Sequence, residues 1–180
     1  MMIVKLRALC ACLALLALSA CISSPEDLAA PPSGQDSYVV LGVAPSDINL
    51  QIVNGRLRKG VFRAGLFRLT ELSYKPDDGG YIVMKVPGNT NYAVVSAIST
   101  IWRQSFLGEK YVPSGAKTLV FEAPAGKVVY VTSLQYRRGA GRLEVAPTQD
   151  LERARAYLRD HYPALAGRLT QARYAFLPLQ

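Results

Sequence analysis

The sequence predicts a mainly β domain, an antiparallel β-sandwich or open barrel, with one helix near its C-terminus. Three observations predict it. Apolar runs of five to ten residues recur between Ser37 and Ala146, bounded by Pro, Gly, Asn or Asp. No amphipathic helical stretch separates them, which argues against parallel strand–helix–strand units. Asn54-Gly55 stands between two of the runs, and both residue types tolerate the positive φ that a two-residue hairpin turn demands.

Residues 37–43 (SYVVLGV) form the first expected strand, stopped by Ala44-Pro45-Ser46-Asp47. Residues 48–53 and 56–62 are expected to pair around Asn54-Gly55. Residues 65–74 and 80–86 lie on either side of Lys75-Pro76-Asp77-Asp78-Gly79, a run of turn-forming residues. Residues 91–100, 118–123 and 127–136 follow, and 142–146 closes a hairpin through Arg138-Gly139-Ala140-Gly141. A helix then spans roughly 148–162, with Thr148 as its cap, Asp150 and Glu152 early, and Arg153, Arg155 and Arg159 late. Leu151, Ala154, Leu158 and Tyr162 fall on one face of it. A short turn from Pro163 through Leu165 and Leu169 leads to a last apolar segment, 174–179. Residues 37–180 read as one domain.

The first 36 residues differ in kind. Lys5 and Arg7 precede an apolar run of 11 residues, 8–18. That run is too short to span a bilayer and has the length of a signal-peptide core. It ends in Leu18-Ser19-Ala20-Cys21: aliphatic, small, small, cysteine. The motif resembles the lipobox of bacterial lipoproteins. The resemblance implies that 1–20 is a signal peptide, cut between Ala20 and Cys21, and that Cys21 is the lipidation site and membrane anchor. A thiolate supplies the nucleophile for the thioether, and multiple acyl chains hold where one binds only marginally. Lipoproteins retained on the inner membrane of enteric-type bacteria carry aspartate at the next position. Ile22 therefore implies passage to the outer membrane, facing the periplasm. The competing reading is an ordinary secretory signal with an incidental cysteine. Residues 22–36 (ISSPEDLAAPPSGQD) lack periodicity and read as a flexible tether, reaching at most about 50 Å.

Cysteine usage and charge narrow the function. Of three cysteines, Cys10 and Cys12 leave with the signal and Cys21 carries lipid. No disulfide, Cys-based metal site or cofactor is expected in the domain. The precursor has 21 basic and 13 acidic residues, net +8. Without Lys5 and Arg7, and without the tether acids Glu26, Asp27 and Asp36, residues 37–180 keep 19 basic against 10 acidic residues, net +9. Such a domain favours anionic partners: anionic lipid, lipopolysaccharide, a wall polymer or an acidic envelope protein. Nucleic acid is set aside on grounds of compartment.

Arg56, Arg58, Lys59, Arg63 and Arg68 make the densest basic region, a candidate anion-binding hairpin. The alternative is a solvated edge whose charges block pairing with another chain. Trp102 and Phe106 form a candidate contact loop if exposed, or a core plug if buried. His161, the single histidine, lacks a nucleophile or orienting acid at usable spacing and reads as a helix-end residue. Asp77 and Asp78 are too few for a calcium loop. Glu71, Glu109, Glu122 and Glu144 are scattered, so no paired-carboxylate site is expected. No catalytic residue or metal ligand is assigned.

Residues 121–169, through Ala125-Gly126-Lys127-Val128-Val129-Tyr130-Val131 and then Tyr162-Pro163-Ala164-Leu165 after the helix, resemble small bacterial lipoproteins with a transthyretin-like β-sandwich. That resemblance implies the sandwich and carries no activity. The expected function is a lipid-anchored, non-enzymatic binding or structural module of the envelope. A tethered subunit of a larger envelope assembly is the alternative, and a hydrolase acting on wall or lipid comes third.

Overall fold

The structure is a computed structural model and describes Leu28 and residues 30–65, 72–99, 116–138 and 143–180. It is mainly β. The strands are β1 (Asp36–Ala44), β2 (Ile48–Arg58), β3 (Val61–Ala64), β4 (Leu72–Tyr74), β5 (Tyr81–Pro87) and β6 (Thr90–Ser99). They continue with β7 (Lys117–Ala123), β8 (Val128–Arg138), β9 (Leu143–Thr148), β10 (Leu169–Gln171) and β11 (Tyr174–Pro178). Two helices, α1 (Leu151–His161) and α2 (Pro163–Ala166), lie between β9 and β10.

The strands form two sheets. One has the order β10-β8-β1-β5, with β9 also on β8; the other runs β11-β7-β6-β2-β3, with β4 also on β2. Pairing is antiparallel except along β8, which runs parallel to β1 and to β10. Parallel neighbours need long connections, and here the chain visits the second sheet between β1 and β8. Val39, Leu41 and Val43 of β1 face Ile48, Leu50 and Ile52 of β2, with Leu119 and Phe121 of β7, in the core between the sheets. The alternate residues Tyr38 and Val40, with Val128 and Tyr130, pack against Ala154, Tyr157, Leu158 and Leu165 of the helices. Burial on both faces explains why β1 and β8 read as continuous apolar runs.

The second sheet curls into a half-barrel. Its edges meet where Phe62 of β3 bridges Leu179, and the Gln180 N–H donates to the Phe62 carbonyl at 2.9 Å. The enclosed face holds Val53, Phe62, Ala93, Val95 and Val120. A register shift between Gln51 and Ile52 sits beside buried polar atoms with no hydrogen-bond partner among the described residues, Asn49 Oδ1, Gln51 Oε1 and Ser96 Oγ. Each such atom costs roughly 1–3 kcal/mol.

Several expectations need correction. Asn54-Gly55 is not the turn: β2 runs straight through it to Arg58, and the chain reverses at Lys59-Gly60, with φ of 50° and 77°. Positive φ at both central residues is what the hairpin turn requires, and Lys59 and Gly60 supply it. Thr148 does not cap the helix but ends β9; the Asp150 side chain accepts from the Arg153 N–H at 2.9 Å. Of the expected strand 65–74, Leu72–Tyr74 is a strand and 66–71 lie outside the described residues. Pro163–Ala166 is a short helix rather than a turn, and Leu169–Gln171 is an additional strand. The 138–141 turn lies mostly outside the described residues.

The Asp77 turn is also more than a reversal. Asp77 Oδ1 accepts from the Tyr81 N–H at 3.1 Å, and its Oδ2 accepts from the Tyr157 hydroxyl of α1. Tyr157 stacks on Tyr81 at 4.4 Å and on His161 at 4.5 Å between ring centroids. That bond and the Tyr81 stack fasten the helix to the sheet, while the His161 stack lies within α1. Burial pushes the Tyr92 hydroxyl up to about 12, and raises Tyr136 and Tyr157 as well, the latter with help from the Asp77 carboxylate. A raised folded-state pKa means that the unfolded chain loses its protons first. Stability from these tyrosines is therefore complete below about pH 10 and falls as pH climbs toward about 12. Urea midpoints should be flat from neutral to about pH 9 and drop above about pH 10, less steeply in Tyr92→Phe. A Tyr92→Phe slope as steep as the parent's would remove Tyr92 from this account.

Candidate functional site

The candidate site is the outer half of the β2–β3 hairpin. β2 stays paired with β6 as far as Gly55 opposite Asn91. Beyond that point it pairs only with β3, Arg56 opposite Arg63, Leu57 opposite Phe62, and Arg58 opposite Val61. Three strand residues and a turn thus project past the sheet, a reach of about 10 Å. Alternation gives the projection two faces. Arg56, Arg58 and Arg63 share one, and Gly55, Leu57, Phe62 and Ala64 share the other.

The apolar face secures the hairpin. Phe62 is fully buried in the half-barrel cluster, and its ring lies over Gly55. A Cβ at Gly55 would stand 2.5 Å from Phe62 Cζ and overlap the Arg63 carbonyl. Glycine is there for close approach, not for a turn. Ala64 is tied to the chain end by its N–H, 3.4 Å from the Gln180 carbonyl. The base of the hairpin is thus held from the enclosed side, while Leu57 at its tip stays 45% exposed.

The other face has the opposite character. Arg56, Arg58, Lys59 and Arg63 are all exposed, and among the described residues none of them forms an ion pair. The salt bridges there join Lys85 to Asp36 and Arg155 to Glu152. Directly opposed like charges on adjacent strands are destabilising by up to about 1 kcal/mol, and Arg56 faces Arg63 in that way. An anion seated between them would offset that repulsion, and two guanidinium groups offer forked donors suited to phosphate or carboxylate.

The structure thus brings together four of the five cations singled out in the sequence; Arg68 lies outside the described residues, as do Trp102, Phe106, Ala20 and Cys21. His161 is exposed at the end of α1, stacked on Tyr157. Glu122 and Glu144 belong to different sheets, on β7 and β9. Among the described residues no group of His, Cys, Asp or Glu is placed to hold a metal ion, and no helix is long and apolar enough to cross a membrane. Sequence reasoning missed the exposed Leu57, although the Arg-Leu-Arg alternation around it was the available signal.

The molecule is therefore a two-sheet β-sandwich, one sheet curled into a half-barrel, bearing a projecting basic hairpin. No family model, curated protein or solved structure matches the chain.

Proposed function

We propose that the chain is a lipoprotein precursor, cut before Cys21 and acylated there, and that its sandwich is a non-enzymatic binding module of the cell envelope. The Leu18-Ser19-Ala20-Cys21 motif supports the anchor, and Ile22 an outer-membrane address facing the periplasm. The observation that carries the binding role is the hairpin: four exposed cations, two of them directly opposed, with no carboxylate partner among the described residues. The ligand chemistry is phosphate-rich or otherwise polyanionic, as on acidic lipid or lipopolysaccharide.

Vesicle co-sedimentation of the chain from residue 22 onward tests this. Each cation near an anionic surface contributes about 1 kcal/mol, and tenfold in affinity corresponds to about 1.4 kcal/mol. Changing Arg56, Arg58, Lys59 and Arg63 to Gln should weaken binding to acidic vesicles by at least about tenfold. The loss should shrink at about 1 M salt, where the Debye length is about 3 Å. Lys117, Arg137, Arg153 and Arg159 are also exposed and lie off the hairpin, so their change to Gln supplies an equal-charge control. Equal losses from both sets would reduce the effect to net charge and remove the site.

A further inference from the structure

The hairpin and the tether leave the sandwich at the same end. The chain enters at Asp36, opposite Pro87 of β5. Gln35 accepts from the Gly88 N–H at 2.8 Å, and Asp36 accepts from the Gly126 N–H at 2.7 Å, so the β5–β6 and β7–β8 turns surround the entrance. The β5–β6 turn leads into Thr90 and Asn91, and Asn91 is the residue opposite Gly55, where the hairpin departs. The entrance is firmly held: Ser33 Oγ donates to Asp36 at 2.8 Å and Lys85 pairs with the same carboxylate at 3.4 Å. These partners, Ser33 foremost, keep the Asp36 carboxyl below its ordinary range.

The tether is also shorter in effect than its sequence. Leu28 packs back on the cluster that holds Tyr38 and Val128. Leu28 lies seven positions after Cys21, and seven extended Cα-to-Cα steps reach at most about 25 Å. Lys127 and Arg168 stand exposed at this end too, each next to a residue of the Val128–Leu169 pair. Glu122 of β7 is paired with Asn91 in the second sheet. The opposite end carries Val145, paired with Tyr136 eight positions along β8 from Val128. Leu57 and Val145 are almost equally exposed, at 45% and 42%, but only Leu57 stands between two arginines in the chain, Arg56 and Arg58, whose side chains take the other face of the hairpin.

We propose that the anchored domain docks tip first on its own membrane, with the anionic surface of the bilayer that holds Cys21 against Arg56, Arg58, Lys59 and Arg63 on one face of the hairpin and Leu57 dipping into the interface from the other. This rests on the lipoprotein reading given above. A hairpin tip with cations on one face and an exposed apolar side chain on the other has the composition of interfacial membrane contacts, and the short tether keeps this end within reach of the surface. The hairpin is consequently oriented away from soluble partners beyond that membrane.

The processed protein has no thiol besides the acylated Cys21, so a single introduced cysteine accepts a fluorescent label without competition. Full-length Leu57→Cys and Val145→Cys variants, acylated in cells and reconstituted into vesicles containing acidic lipid, are labelled and challenged with quenchers on the acyl chains. Quenching at position 57 should exceed that at 145 by about threefold or more, and the difference should collapse in neutral vesicles. Acylated protein with equal quenching at both positions would overturn the orientation alone. Protein without the acyl group would instead defeat the lipoprotein reading on which it rests. Spin labels at the same positions, read by collision with a lipid-soluble relaxant, give the same ranking if the dye perturbs docking.

Discussion

Cys21→Ser is expected to abolish acylation and leave the chain as uncut precursor. Serine is close to cysteine in size, but its hydroxyl does not ionise near neutral pH, and a thiolate is the nucleophile that would form the thioether. Metabolic labelling with an alkyne fatty acid should therefore fall to background, while the parent is strongly labelled. The mature parent should enter the detergent phase on phase separation, because multiple acyl chains, each CH₂ worth about 0.8 kcal/mol, outweigh the solubility of a basic domain. Ser19→Ala, a change between two small residues, should leave both readouts unaltered. Label persisting in Cys21→Ser would sink the anchor assignment and, with it, the membrane-docking inference.

Gly55→Val is expected to cause the second-largest effect, in stability and in binding at once. Its Cβ has no room: the Phe62 ring and the backbone of Arg63 occupy that space. Overpacking of this kind costs roughly 1–3 kcal/mol. In a domain of this length that corresponds to a fall in melting temperature of several degrees, about 10 °C at the upper limit. Because β3 must shift, Phe62 leaves its seat among Val53, Ala93, Val95 and Val120, and the cations on the other face lose their spacing. Binding to acidic vesicles should weaken although no charge has changed. Gly60 has open space around its missing Cβ but a φ of 77°, so Gly60→Asn, a residue tolerant of that region, should be mild in both assays. A Gly55→Val protein that melts with the parent would contradict the close approach of Phe62.

The β-rich class and most strand positions were legible because alternating or continuous apolar runs between Pro and Gly carry the period of a strand. Residues 37–43, 80–86 and 118–123 each reappear within a residue or two as β1, β5 and β7. The hairpin cations were legible as a cluster for the same reason: local composition places Arg56 and Arg58 on one face whatever the strand pairs with. The turn was misplaced because Asn54-Gly55 satisfies the local rule as well as Lys59-Gly60 does. Glycine at 55 answered a demand from Phe62, a neighbour across the strand.

Local pattern thus determined the class, the strands and the cation cluster, since each depends on residues close in the chain. Contacts between distant residues decided the rest. Pairing of β8 with β1 and β10 in parallel, the closure of the half-barrel through Phe62 and Leu179, and the fastening of α1 by Asp77 and Tyr157 join residues 41 to 117 positions apart. Nothing in a local window records such pairs, because the free energy that selects them comes from burial and hydrogen bonding after the chain has folded back on itself. The same holds for the site: that the hairpin projects at the end where the tether enters follows from the register of β2 on β6 and of β1 on β5, and a one-residue slip of β2 on β6 would turn the hairpin cations to the opposite face.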